Sequence, residues 1–171
     1  MRKTILTLTL LASAVFAQAQ PGPTDAQIAH IVVTANQVDI DAGKLAAKQG
    51  SSDTVKHFGQ MMVTDHTAVN QQATALVKKL NVKPEKNDTS ASLKKGGDDN
   101  LAKLRGLKGK AFDKAYVDNE VTYHQAVIDA VDKTLLPSAR NAELKGLIEK
   151  VRPALVQHLE HAKSLQAELG K

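Results

Sequence analysis

An acid and a histidine stand side by side in the segment VTDHTAVNQQ, residues 63–72. Apolar residues recur every three or four positions around this segment, which predicts a helix with one buried face. Asp65 or His66 falls on that face, where such a helix normally carries an aliphatic side chain. The apolar positions are Val55, Phe58, Met62, Val69, Ala73, Leu76 and Leu80.

Three other predicted helices also carry ionisable residues on their apolar faces. Asp39 lies among alanines in the first helix, Glu120 and His124 are one turn apart in the third, and His158 lies in the fourth. The remaining histidines are predicted to lie elsewhere: His161 at the margin of the apolar face, and His30 and His57 on the solvent side.

These inward residues lie close to the midpoints of their helices, so packing the four helices side by side should bring them to one level. Burying an ionisable group costs several kcal/mol unless it is paired or coordinates an ion. Two arrangements meet this requirement: a network of hydrogen bonds among histidines, carboxylates and tyrosine, or a metal site. The candidate metal ligands are Asp39, Asp65, His66, Glu120, His124 and His158.

The helices that carry these residues have recognisable ends. Thr24 and Gln27 form the sequence pattern of a capping box, Gly50 ends the first helix, and Ser51 or Ser52 caps the second. The predicted helices run from 24 to about 49, from about 52 to about 80, from about 110 to before Pro137, and from Asn141 to about Leu169, with a kink or restart at Pro153.

A polar segment rich in turn-forming residues, 81–100, joins the second and third helices and is expected to be mobile, with a short helix near Leu101 and Leu104. No segment shows sustained two-residue alternation, so strands are not expected. The predicted fold class is all-α: a four-helix bundle with a longer crossover between helices 2 and 3.

The N-terminus has the pattern of a secretory signal peptide: a basic start, an apolar run and the Ala17-Gln18-Ala19 cleavage motif. Cleavage is expected after Ala19, with Ala17 as the second choice. The predicted organisation is a signal peptide over 1–19, a short tail over 20–23 and a helical domain over 24–169. Removing Arg2 and Lys3 lowers the net charge from +5 to +3. This mild charge and the scarcity of aromatic residues argue against nucleic-acid binding. The mature chain contains no apolar run long enough to span a membrane.

Cysteine is absent from the chain. A disulfide therefore cannot stabilise the fold, and thiolate metal sites and iron–sulfur clusters are excluded. Imidazole and carboxylate remain as the strong ligands for a metal.

Four segments in order resemble an exported bacterial ferritin-like family whose domain has no assigned function and whose members are often labelled outer-membrane or exported proteins. The segments are DIDAGKLAA, VKHFGQMMVTDHT, FDKAYVDNEVTYHQ and AELKGLIEKVRPALVQHLEHA, and the match spans 24–169. The resemblance implies a ferritin-like bundle, export to the periplasm or outer membrane, inward histidines at 66, 124 and 158 with Asp65 beside the first, and acidic positions at Asp39 and Asp41.

The sequence departs from the ferritin di-iron pattern, which needs Glu-x-x-His on two helices. Val63 stands three residues before His66, and Leu155 three before His158. The inward carboxylates are too few for an oxo-bridged iron pair. Three histidines with a carboxylate suit one divalent ion of Zn, Cu, Fe or Mn better.

Two functional hypotheses follow. The first is a non-catalytic exported bundle that acts in envelope maintenance or stress tolerance through binding, with an envelope protein or a second copy of the chain as its partner. The second is a mononuclear metal protein that sequesters an ion or performs redox chemistry. A third hypothesis, binding to a membrane surface, has less support because the apolar face of each helix is expected to be buried in the core. No catalytic motif stands out in the sequence.

Protein isolated from its native host should begin at Gln20, because the cleavage motif ends at Ala19. Mass spectrometry of the intact chain measures this directly. Recovery of a chain that retains Met1 in the cytosol would contradict export.

Overall fold

The computed structural model describes residues 22–170, which are almost entirely helical and contain no β-strand. The predicted signal peptide over 1–19 and the Gln20 start lie outside the described residues. None of the described helices is both long and apolar enough to cross a membrane. The helices are α1 (Asp25–Gln49), α2 (Asp53–Lys79), α3 (Asp88–Arg105), α4 (Gly109–Ala130), α5 (Leu136–Ser138) and α6 (Ala142–Leu169), and a π-helical turn (Val131–Leu135) joins α4 to α5.

The predicted caps hold the helix starts. The Thr24 hydroxyl accepts the backbone N–H of Gln27, and the Gln27 side chain accepts the backbone N–H of Thr24, which completes the capping box. Ser52 caps α2 and Asn141 caps α6. These local bonds fix where along its axis each helix begins.

Contacts between helix ends fix the helix directions. The side chain of Gln49 donates to the carbonyls of Leu104 and Leu107, which brings the ends of α1 and α3 together. At the opposite end of the bundle, Asp25 accepts the backbone N–H groups of Arg140 and Asn141, at 2.9 and 3.0 Å. The chain therefore runs up α1, down α2, up α3, down α4 and up α6. The four main helices pack in the cyclic order α1, α2, α6, α4, with every neighbour antiparallel.

Two glycines allow α1 and α2 to approach closely between the polar layer and the end of the bundle where α1 stops and α2 begins. A Cβ at Gly59 would lie 2.7 Å from the carbonyl oxygen of Gly43 and 2.8 Å from the backbone nitrogen of Ala47, both closer than atoms can pack. Asp39 lies one turn before Gly43, and His66 lies two turns after Gly59. This backbone contact therefore sets the spacing of the helices that carry the first two inward residues.

The crossover differs from its expected form. It contains an 18-residue helix, α3, from Asp88 to Arg105, rather than a mobile segment ending in a short helix. Asn87 and Ser90 form a capping box at its start. Gly97 packs on Val38 of α1, where a Cβ would be 2.7 Å from a Val38 methyl group. The buried residues of this helix are Ser90, Gly97 and Leu104, so only one buried aliphatic side chain marks its inward face.

Both prolines that were expected to interrupt helices are accommodated. Helix α4 continues through the π-helical turn and α5 to Ser138. Pro137 therefore lies within the final helical turn rather than beyond it. Helix α6 runs without a break through Pro153, so the expected restart is absent from this helix.

Two apolar clusters fill the bundle, one towards each end. The first centres on Phe58, Phe112 and Tyr116, and the second on Ile28 and Ile148. Along every main helix, the inward polar residues lie between the segments that build these two clusters. The polar layer is therefore enclosed by apolar packing above and below.

We expect Gly59→Ala to lower stability by about 1–3 kcal/mol, because the added methyl group must push α1 and α2 apart. Gly146→Ala should instead raise stability by about 0.5–1 kcal/mol, because Gly146 has open space around it and alanine favours a helix. Denaturant unfolding of both variants measures the difference. Equal effects of the two substitutions would show that the glycine contact does not set the helix spacing.

Candidate metal centre

Three imidazole rings meet at the middle of the bundle, one each from α2, α4 and α6. The ring centroids of His66 and His124 are 5.6 Å apart, those of His66 and His158 are 5.2 Å apart, and those of His124 and His158 are 5.4 Å apart. All three residues are at most 5% exposed. The rings thus form a nearly equilateral, buried triangle.

His66 is oriented by a residue of α1. Its Nδ1 lies 2.7 Å from the side-chain oxygen of Asn36, and the amide nitrogen of Asn36 donates to the carbonyl of Val32 at 2.8 Å. That second bond leaves the Asn36 oxygen facing His66, and this oxygen can only accept. His66 therefore carries its proton on Nδ1, and Nε2 presents a lone pair.

The other two histidines also place one ring nitrogen against an oxygen acceptor. Nδ1 of His124 lies 3.1 Å from the backbone carbonyl of Glu120, and Nε2 of His158 lies 2.9 Å from a carboxylate oxygen of Asp65. Each ring therefore uses one N–H to donate to an oxygen acceptor. The remaining nitrogens, Nε2 of His66, Nε2 of His124 and Nδ1 of His158, are buried and have no hydrogen-bond partner.

Two carboxylates complete the layer. Asp39 lies with one oxygen 3.5 Å from Nε2 of His66, and Glu120 with one oxygen 3.4 Å from Nδ1 of His124. Both residues are almost fully buried. One potential ligand atom from each of His66, His124 and His158 falls in a group whose members lie within 4.8 Å of one another, and the same holds for Asp39, Glu120 and His124. His124 joins the two groups.

Burial shifts the pKa values of two histidines and one aspartate of this layer towards their uncharged forms. Desolvation, and then repulsion from the other two histidines, lowers the pKa of His66 from 6.5 to about 3. Desolvation also lowers the pKa of His158, against the opposing effect of Asp65. Desolvation and the neighbouring Glu120 charge raise the pKa of Asp39 well above its usual value. The site therefore resists positive charge on its imidazoles and negative charge on Asp39.

Asp65 and Asp41 differ in position from the other predicted acidic residues. The side chain of Asp65 is 45% exposed, and it contacts His158 on the side away from the triangle. Asp65 therefore orients His158 and belongs to neither group of ligand atoms. Asp41 is also half-exposed and bonds to Gln37 on the surface.

The histidines predicted to lie outside the layer do so. His57 and His161 are exposed, whereas His30 is half-buried, with Nδ1 3.3 Å from the Thr34 hydroxyl. His30 is therefore less exposed than its position on the helix indicated, because α3 packs over that side of α1.

Two residues of the site were not singled out from the sequence. Asn36 was not among the predicted inward residues, yet it lies one turn before Asp39 and is buried against His66. Tyr123 donates its hydroxyl to the carbonyl of Ala35 at 3.0 Å and so ties α4 to α1 beside the layer. The spacing of Asn36 from Asp39 was the available signal, since residues three apart share a helix face.

The donor set fits a borderline divalent metal ion. Neutral imidazoles whose outer N–H groups donate to carboxylate, carbonyl or amide oxygen are the usual form of metal-bound histidine. One nitrogen of each ring and both carboxylate oxygens of Glu120 are buried here without a hydrogen-bond partner. A cation is the chemical complement of such a set. The hydrogen-bond networks around it would hold the three rings in place.

Comparison with known proteins agrees with the fold and leaves the chemistry open. A solved structure from Streptomyces coelicolor, described as a secreted protein with a DUF305 domain, is similar to this chain with a TM-score of 0.70 at 14% identity, covering 85% of this chain and 93% of that one. At this identity, the similarity shows the fold alone. No curated protein matches the chain.

A family model matches residues 10–165, which include nearly all of the helical bundle. Its description is a domain of unknown function, DUF4142. The matched range contains all five residues of the buried layer. The chain therefore belongs to the DUF4142 family.

Proposed function

We propose that this protein binds one divalent transition-metal ion at the middle of its bundle. His66, His124 and His158 would supply the nitrogen ligands, and Asp39 and Glu120 the carboxylate oxygens. The observation that carries the proposal is the set of three inward, buried imidazole nitrogens without a hydrogen-bond partner. Their outer nitrogens already donate, so none of the inward atoms can become a donor without giving up an existing bond.

The alternative is a purely structural network of hydrogen bonds. Such a network stabilises a core when its members alternate as donors and acceptors, because unpaired buried polar atoms cost about 1–3 kcal/mol each. Here both side-chain oxygens of Glu120 are also without a partner, as is the hydroxyl of Tyr116. The Tyr116 hydroxyl and a protonated Asp39 can each donate one hydrogen bond, whereas the three ring nitrogens and the two Glu120 oxygens are five acceptors. This excess of acceptors over donors favours a bound cation over a closed network.

The metal would be one of Zn, Cu, Fe and Mn. Imidazole nitrogen suits zinc, copper and iron, and the two carboxylates also allow manganese. A bound ion supplies positive charge and Lewis acidity. The protein's own part is to hold the rings: Asn36, the Glu120 carbonyl and Asp65 fix which nitrogen faces inward.

We infer a binding role outside the cytoplasm, such as ion sequestration during envelope maintenance or stress. The signal-peptide pattern supports export, and the similar Streptomyces coelicolor structure is described as secreted.

The helix order supports a ferritin-like relationship, because two antiparallel pairs, α1–α2 and α4–α6, are joined by a long crossover. Only two buried carboxylates line the layer, so we propose a mononuclear site rather than a di-iron one.

Metal-free mature protein should melt at a higher temperature when the correct ion is added. Stabilisation follows RT ln(1 + [L]/Kd), about 2.7 kcal/mol at 100 times Kd, or about 5–10 °C for a chain of this size. Differential scanning calorimetry with Zn²⁺, Cu²⁺, Fe²⁺, Mn²⁺ and Mg²⁺ tests the series, and metal analysis of untagged protein from its native compartment gives the natural ion.

The rise in melting temperature on adding the ion should vanish in a His66→Ala, His124→Ala double variant. It should persist in His57→Ala, which changes an exposed histidine on the same helix as His66. Circular dichroism of the double variant checks that it still folds. If no ion of the series shifts the wild-type melt, the layer is a structural network.

Asp39→Asn should stabilise the metal-free protein at neutral pH. The unfolded chain loses the Asp39 proton near pH 3.8, whereas the folded chain keeps it to higher pH because the pKa is raised. The unfolded state therefore binds fewer protons in this window, and wild-type stability falls as the pH rises through it. Asparagine cannot ionise, so the advantage of the variant in melting temperature should grow from pH 4 to pH 7.

The same variant should gain less stability from the metal than wild type, because a carboxylate ligand is lost. Asp41→Asn is the matched control, since Asp41 is a half-exposed carboxylate on the same helix, and its effect should be small at both pH values. A metal-free Asp39→Asn protein that is less stable than wild type at pH 7 would mean that Asp39 stabilises the fold through a network.

A further inference from the structure

The candidate metal ligands are closed off from solvent, so an ion cannot reach them without a movement of the chain. The inward nitrogens of His66, His124 and His158 and both carboxylate oxygens of Glu120 are fully buried. Asp39 is only 3% exposed. The metal-binding role proposed above therefore requires an entry route, and the packing of the helices indicates which part of the fold can open to provide it.

Helix α3 covers the seam between α1 and α4, the two helices that carry the carboxylates of the layer. Gly97 of α3 packs on Val38, which is the sequence neighbour of Asp39. A groove lined by residues of α1, α3 and α4 follows the seam. Across the seam itself, the Tyr123 hydroxyl of α4 donates to the carbonyl of Ala35 in α1. The crossover helix is therefore the outer cover of this side of the layer.

A cavity of about 280 Å³ borders both α3 and the layer. Thr89 and Leu93 of α3 form part of its wall, and Asp39 and His66 form another part. Protein interiors normally contain few voids larger than a water molecule, so α3 lies over unfilled space rather than on a closely packed core. Opening of α3 would join this space to solvent while the four main helices stay packed.

The packing of α3 itself is weak. Its buried residues are Ser90, Gly97 and Leu104, of which only Leu104 is aliphatic. Gly96 and Gly97 stand together in the middle of the helix, where glycine is among the least favourable residues. Segments with few buried apolar side chains open locally at a lower free energy than the rest of a domain. The middle of α3 is therefore the part of the cover that opens most readily.

Both ends of α3 are tied to α1. The Asn87 amide donates to the carbonyl of Gln27 at 3.2 Å, and the Gln49 side chain donates to the carbonyl of Leu104 at 3.3 Å. Between these two anchors, the helix rests on α1 at Gly97, which contributes no side chain to the contact. The middle can therefore unfold while the ends stay attached, so the helix closes again over the same seam.

We infer that local unfolding of the middle of α3 is the step that admits the metal ion to the buried layer. The inference rests on the proposed function, since it assigns the entry route of that ion. With α3 open, the seam and the cavity become hydrated, and a hydrated divalent cation can reach the carboxylates of Asp39 and Glu120. Refolding of α3 then closes the layer over the bound ion and slows its release.

The opposite seam, between α2 and α6, is a less suitable route. Asp65 of α2 and His158 of α6 close it with a hydrogen bond of 2.9 Å. These two helices also supply buried side chains to the apolar clusters, such as Phe58 to one and Leu155 and Leu159 to the other. Separating α2 from α6 would expose much of the core, whereas opening α3 exposes little apolar surface.

Hydrogen exchange of the metal-free mature protein, measured residue by residue by NMR, tests the opening without any ion. Protection factors in the middle of α3, residues 92–101, should be roughly tenfold or more below those of α1 and α4 beside the layer. Gly96→Ala should raise protection in α3 about fivefold, because alanine favours the helix and a Cβ at Gly96 meets no atom within 4 Å. Gly146→Ala, an equally open position of α6, should leave exchange in α3 unchanged.

Zn²⁺ uptake links the opening to the layer. Competition with a colorimetric zinc chelator should give the same equilibrium affinity for wild type, Gly96→Ala and Gly146→Ala, because α3 is closed in both the loaded and the metal-free protein. Stopped-flow measurements should show that Gly96→Ala takes up and releases Zn²⁺ about fivefold more slowly than wild type, the alanine-over-glycine preference of a helix. Gly146→Ala should keep the wild-type rates.

A covalent lock gives a second test that does not depend on helix propensity. The chain has no cysteine, so a Val38→Cys, Gly97→Cys variant contains a single pair. A Cβ at Gly97 would lie 3.3 Å from the Cβ of Val38, close to the separation of about 3.8 Å that disulfides prefer. The oxidised variant should take up Zn²⁺ far more slowly than Val38→Ser, Gly97→Ser, which has side chains of similar size and no thiol. The melting temperature checks that both variants fold.

Three results would overturn the inference: protection in α3 equal to that in α1 and α4, equal uptake rates for Gly96→Ala and wild type, or equal rates for the oxidised cysteine pair and the serine control. Entry between α2 and α6 would give the last two. Failure of the proposed function is read separately, as a lack of equilibrium binding by wild type for every ion of the melting series. Failure of the inference leaves equilibrium binding intact and the uptake rate independent of α3.

Discussion

The burial of five ionisable side chains at one level of a helical bundle is the constraint on which the rest of this structure depends. Desolvation alone pushes the imidazoles of His66 and His158 and the carboxyl of Asp39 towards their neutral forms. A layer held in that state adds little cohesion, since its inward atoms are mostly acceptors. The two apolar clusters above and below must therefore supply the stability that the layer lacks.

The helix contacts serve this layer by fixing its level and its rotation. The Gly43–Gly59 contact sets the distance between α1 and α2, and the end-to-end bonds made by Asp25 and Gln49 align α1 with α6 and α3. Hydrogen bonds at the layer fix the orientation of the three imidazole rings. Asn36, the Glu120 carbonyl and Asp65 each accept a hydrogen bond from one ring nitrogen. Together these contacts bring one potential ligand atom from each of three histidines within 4.8 Å of one another.

Sequence spacing predicted the main helices and the inward residues because both depend on periodicity along one helix. Thr24, Ser52 and Asn141 marked helix starts through local hydrogen bonds that the sequence already contains. The crossover helix was missed because its contact with α1 depends on Gly97, whose missing side chain has no periodic signal. The orienting role of Asn36 depends on how different helices meet, and the pattern of a single helix does not describe that.

Because the chain has no cysteine, a ligand bound at the buried layer can take the stabilising role that a disulfide has in other proteins. Disulfides commonly stabilise small domains whose hydrophobic core is limited, and this chain has none. A ligand that binds only the folded state stabilises it in proportion to its concentration relative to Kd. Under the proposed function, an ion at the layer would turn opposed acceptors into a cross-link between α1, α2, α4 and α6. The stability of the folded chain would then follow the supply of that ion in the compartment it reaches, so the layer that weakens the metal-free bundle would strengthen the loaded one.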